Sequence, residues 1–201
     1  MPLPGREELE ACRRFLLRAL LEPDPELESR LPEAPGLPVP ADAAGRADAA
    51  ERDIVAHARM AATLGVLPVV DLIAVTALQA RLLRRLADLH GVRWDAALAR
   101  EFIARLGLGV AGGIVGHTVG RNVLKILPLV GQSAGAAWSA RSSLVATYAV
   151  GKAADHFLER IAAGDEPAAR TLRLIHARAA AEATRIARSS GRGGPGGGGN
   201  V

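Results

Sequence analysis

Apolar residues recur every three or four positions over most of this chain. From Ala47 to Leu64 the pattern predicts a helix that stops at Gly65. From Val66 to Gly91, "VLPVVDLIAVTALQARLLRRLADLHG" predicts a second one, with Pro68 in its first turn and Gly91 as its carboxy-terminal cap. Its first half is apolar nearly all round. In its second half Leu78, Leu82, Leu86 and Leu89 share one face, and Arg81, Arg84, Arg85 and Asp88 lie opposite. A third helix is predicted from Trp94 through the glycine-rich run to Ile126, and Pro128 interrupts it. A fourth runs from about residue 130 to 162 and stops at Gly164. A fifth opens with Asp165 as amino-terminal cap and Pro167 in its first turn. No stretch alternates with period two long enough to make a strand. The expected class is therefore all-α, with five to six helices.

The ends read differently. Residues 1–22 form a short amphipathic helix with Leu9, Cys12, Leu16 and Leu20 on one face. Residues 23–46 are rich in proline and acids and read as a disordered linker. Residues 47–188 form the helical domain, and 189–201 a glycine-rich disordered tail.

Small residues mark the middle of the chain. Gly112, Gly116 and Gly120 are spaced by four, as are Gly131, Gly135, Ser139, Ser143, Thr147 and Gly151. Positions i and i+4 lie on one helix face, so each series is a stripe with almost no side chain. Interior glycine costs a helix about 1 kcal/mol relative to alanine, and close backbone approach is the usual compensation. Two such stripes joined by "LKILPLV" predict a close-packed antiparallel hairpin.

The same region raises the question of a membrane. Leu106–Gly120 and Ile126–Ala140 are uncharged runs of fifteen residues each. Residues 60–80 carry Asp71 as their only charge, with Gly65 and Pro68 interrupting. A spanning helix needs about 20 apolar residues, so each run alone is marginal. Between Glu101 and Asp155 there are five bases and no acid, which suits an anionic lipid surface. Asp71 and Arg141 are the charges that the apolar segments least explain. They are a candidate buried ion pair, the alternative being that Asp71 caps its helix and Arg141 reaches water.

Composition narrows the chemistry. Apolar residues make up 49% and aromatics 3%, so the core must be Leu, Val, Ile and Ala. Residues 1–50 carry net −4 and residues 51–201 net +8. A basic body raises nucleic acid as a ligand, but interleaved aromatics and a dense basic helix are both missing, so none is expected. One cysteine, Cys12, rules out an internal disulfide. The amino terminus has acids where a secretion signal needs bases and an apolar run, so no export signal is expected. "GLGVAG" at Gly107, Gly109 and Gly112 matches a dinucleotide fingerprint, but a helix precedes it and no acid follows until Asp155. His57 with Asp53, and His156 with Glu159, read as surface pairs; His90, His117 and His176 lack even a local acid. Catalytic residues, metal ligands and cofactor-binding residues are all expected to be none.

Two segments resemble the YcjF-like family (domain of unknown function 697), a bacterial family. "LPVVDLIAVTALQARLLRRLADLHG" follows its "P…D…LQ…R…L…G" pattern. "KILPLVGQSAGAAWSARSSLVATYAVGKAADHF" follows its second block at Lys125, Pro128, Gly131, Thr147 and Gly151. The resemblance covers roughly residues 50–162. It implies a membrane-associated helical module and, since some members are fused to a GTPase, a GTPase partner in trans; residues 1–50 are too short to be that GTPase. The expected function is a non-enzymatic membrane-associated module at the bacterial cytoplasmic membrane or its cytoplasmic face, able to form a homo-oligomer. The alternative is a soluble helical adaptor or self-association domain in the cytoplasm.

Overall fold

The computed structural model describes residues 38–64, 71–107 and 136–190, together with Pro25, Ser29, Leu31 and Pro32. Five helices run through them, and there is no strand among the described residues. They are α1 (Ala43–Leu64), α2 (Asp71–His90), α3 (Ala96–Leu106), α4 (Ala136–Ala162) and α5 (Ala169–Ser190). The all-α class expected from the sequence is what the chain adopts.

Each boundary has a local cause. α1 begins four residues earlier than its apolar pattern, because Asp42 caps it: the Gly45 N–H donates to Asp42 Oδ2 at 3.1 Å. α2 ends at Gly91, whose N–H reaches the Asp88 carbonyl while the Val92 N–H reaches that of Ala87. α3 is capped by Asp95, which accepts from the Ala97 and Leu98 N–H groups at 2.9 and 3.0 Å. It ends at Leu106 because Gly107 turns left-handed, with φ +82°. That corrects the long third helix predicted through Ile126. The glycine run offers many possible stops, and the first one is used.

α4 ends in the same way at Gly164, φ +79°, where the Asp165 N–H closes onto the Arg160 carbonyl. Asp165 is therefore not a cap of α5, as predicted. Its carboxylate pairs with Arg160 at 2.8 Å, and α5 starts at Ala169, beyond Pro167.

α4 is the central element and packs against each of the other four helices. α1 covers one flank and α5 another, α2 packs on α1 and α4, and α3 packs chiefly on α5. The main core joins Ile54 of α1, Leu82, Leu86 and Leu89 of α2, Phe102 of α3, Phe157 and Leu158 of α4 and Leu172 of α5. Three of the described aromatics meet there: Phe102 lies 5.3 Å from Phe157 and 6.2 Å from Trp94, ring centre to ring centre. A smaller cluster joins Ala61, Ala74, Val75, Ala77 and Leu78 with Leu31. Leu31 is 7% exposed, and the Pro32 carbonyl accepts from Arg81 at 2.6 Å. Leu31 and Pro32, within the predicted linker, are thus in contact with α2.

Candidate functional site

Ser143 and Thr147 of α4 are buried, and the Thr147 hydroxyl accepts from Gln79 Nε2 at 3.1 Å. A Cβ at Gly151 would stand 3.0 Å from the Ile54 side chain and 3.1 Å from that of Leu82. This part of the series therefore packs on α1 and α2. Ser139 belongs to α4, but its side chain lies outside the described residues, as do Gly112, Gly116, Gly120, Gly131 and Gly135 altogether. Arg141 is half-buried on α4; Asp71 is the first residue of α2, and its side chain lies outside the described residues. The predicted hairpin and the predicted Asp71–Arg141 pair both fall there. His117 does too.

Charged groups sit deeper than the sequence suggested. Asp53 and His57, read as a surface pair, are each 1% exposed. The reason is a partner 32 residues away: Arg85 Nε donates to Asp53 Oδ2 at 3.0 Å, giving the carboxylate a charge-assisted bond inside the fold. His57 turns from the Asp53 carboxylate to its backbone carbonyl, 2.7 Å from Nδ1. A carbonyl only accepts, so Nδ1 carries the proton of the neutral ring. Burial holds His57 below the ordinary histidine range, and Arg81 and Arg85 push the same way against the Asp53 carbonyl bond. The sequence did carry a signal: Asp53 adjoins Ile54 on the apolar side of α1, where a charge needs a partner.

Two further clusters join distant segments. Glu51 of α1 accepts from Tyr148 at 3.3 Å and from Lys152 at 2.9 Å, both on α4. Burial, with the Glu51 carboxylate beside it, pushes the Tyr148 phenol up to about 12. His90 Nε2 lies 2.8 Å from Asp155 Oδ1, an acid that the local sequence around His90 did not offer. His156 and Glu159 form the looser surface pair expected, at 3.7 Å. His176 is half-buried on α5, and burial lowers its pKa. An open depression beside the end of α2, lined by Arg46, Asp88, His90 and Glu159, mixes both signs of charge. Among the described residues, no group of three His, Cys, Asp or Glu side chains could hold a metal ion.

The outer surface of α5 corrects one expectation, because it is a basic helix of the kind the sequence was read as missing. Leu172, Ala179 and Ala183 are buried, while Arg170, Arg173, Arg178, Arg185 and Arg188 are all exposed. Glu182 is the only acid of this helix. At 3.6 residues per turn, the five arginines occupy about 140° of the circumference along about 27 Å of axis. Gly107, where the chain leaves α3, lies beside the Arg173 stem, 3.6 Å from its Cδ to the position of a Cβ. None of the described helices is long and apolar enough to cross a bilayer.

The chain is 31% identical over 121 residues to Magnetosome membrane protein 22 of Magnetospirillum gryphiswaldense, covering 56% of this chain. It spans 62% of that relative's length, less than two thirds. No family model matches the chain, so the resemblance to the YcjF-like family has no support from that side. No solved structure matches it.

Proposed function

We propose that this chain is a non-enzymatic, membrane-associated helical module of a bacterial membrane, acting at the cytoplasmic membrane or its cytoplasmic face. The observation that carries the reading is the similarity to a magnetosome membrane protein. The described helices form a packed body whose long apolar faces are turned inward. Contact with lipid falls to the acid-free sequence between Leu106 and Ala140, in which Arg121 and Lys125 are the only charges. Each of its two uncharged runs is shorter than the ~20 residues of a spanning helix.

Fractionation of native membranes with salt, carbonate and detergent tests this. The reading expects carbonate-resistant pelleting and release by detergent. Release by salt alone would limit the contact to the surface, and recovery in the supernatant would favour the soluble adaptor. The reading carries two candidate protein partners, a second copy of this chain and a GTPase acting in trans. Crosslinking in native membranes would reveal either.

A further inference from the structure

We infer that the outward face of α5 is a docking surface for anionic phospholipid headgroups, which lays the helical body along the membrane. This rests on the membrane reading above and adds to it the lipid class and the residues that recognise it.

The face is built from Arg170, Arg173, Arg178, Arg185 and Arg188, all exposed, on a helix whose opposite side is fixed to the core through Leu172, Ala179 and Ala183. The arginines are thus held on a rigid element and not on a loose tail. No ion pair engages Arg170, Arg178, Arg185 or Arg188 among the described residues. The Arg173 Nε donates to the Ala169 carbonyl of its own helix. Ala177 and Ala181, between them, are exposed and too short to keep the guanidinium groups from a flat surface. Leu174, 48% exposed, stands among them as an apolar contact for the interface.

Position supports the same occupant. Arg173 lies beside Gly107, where the chain enters the acid-free apolar segment. α5 packs along α4 and follows it after the turn at 163–168, so Arg185 and Arg188 run back toward the amino-terminal half of α4, where that segment returns. The basic face therefore extends between the two ends of the sequence assigned to lipid. Guanidinium groups pair with phosphate in forked geometry, and a basic surface is attracted to an anionic leaflet within about a Debye length.

The test is co-sedimentation of the full chain with vesicles of phosphatidylcholine alone and of an equimolar mixture with phosphatidylglycerol. The intact chain should bind both and prefer the anionic vesicles, with the preference fading at high salt. The variant Arg170→Gln/Arg178→Gln/Arg185→Gln should lose about fivefold in affinity per arginine on anionic vesicles, on the order of 100-fold in all, with no change on phosphatidylcholine. The corresponding triple lysine variant should keep most of the preference. Both variants alter exposed sites with good helix formers, and circular dichroism with a melting curve verifies the fold.

Equal binding of the intact chain to both vesicles, or a glutamine variant that binds anionic vesicles as the intact chain does, overturns the inference and leaves the membrane reading standing. Binding to neither vesicle overturns the membrane reading itself. Tighter binding to a duplex oligonucleotide than to anionic vesicles, lost in the glutamine variant, would assign the face to nucleic acid and overturn the inference.

Discussion

At the scale of single residues, the tightest point in the body is Gly151. With Ile54 and Leu82 already 3.0–3.1 Å from where its Cβ would be, a larger side chain must move two core residues. Gly151→Leu should destabilise the protein by about 1–3 kcal/mol, because overpacking exceeds the ~1 kcal/mol that a helix gains from losing a glycine. Thermal or denaturant unfolding measures it.

The Asp53–Arg85 pair is buried at one end only, with side chains 1% and 23% exposed. Asp53→Ala should therefore cost about 1–3 kcal/mol, less than the ~3–5 of a wholly buried pair, because water can still reach the arginine. His57 and His176 add a dependence on pH. Both have folded-state values lowered by burial from the ordinary 6.5. As the pH falls below that value the unfolded chain takes up protons first, so stability declines from about pH 6.5 downward until the folded rings protonate. Melting temperatures between about pH 7 and pH 5 should show this slope, and His57→Gln with His176→Gln should flatten it.

At the scale of helices, what could be read in the sequence depended on how many answers the local pattern allowed. The stripe Leu78, Leu82, Leu86 and Leu89 has one apolar side, and all four residues are buried as that pattern required. Gly91 and Gly164 each stand alone after a periodic run, and each caps its helix. Gly107 opens a run with several glycines, so periodicity could not say which one would stop the helix. Asp165 had the right type and spacing for an N-cap, but Arg160, on the preceding helix, held it instead. The pairs Asp53–Arg85 and His90–Asp155 depend on how α1, α2 and α4 come together, which no local spacing encodes. Asp71 and Arg141 pose the same question, and only Arg141 has a described side chain.

Two element-level changes should separate cap from core. Asp95→Ala removes the acceptor of two N–H groups at the start of α3 and should lower the melting temperature, while Asp95→Ser should recover most of the loss. Leu86→Ala empties part of the main core and should cost about 2–5 kcal/mol in denaturant unfolding.

Across the whole molecule, the proposed function divides between a folded body and one segment. A helical body folded around α4 presents one basic face, and an acid-free apolar segment joins α3 to α4. The body alone offers no described helix that could cross a bilayer. On the proposed reading, the segment makes the lipid contact and the arginines set the orientation. The most direct test floats the full chain with phosphatidylcholine vesicles in a density gradient, beside the variant Val123→Glu/Ile126→Glu/Leu129→Glu. Inserting carboxylates into hydrocarbon costs several kcal/mol, whereas leaving them in water costs almost nothing. The intact chain should float, and the variant should stay in the dense fraction with an unchanged melting temperature. An intact chain that stays in the dense fraction, or a variant that floats equally well, would contradict lipid contact through the segment.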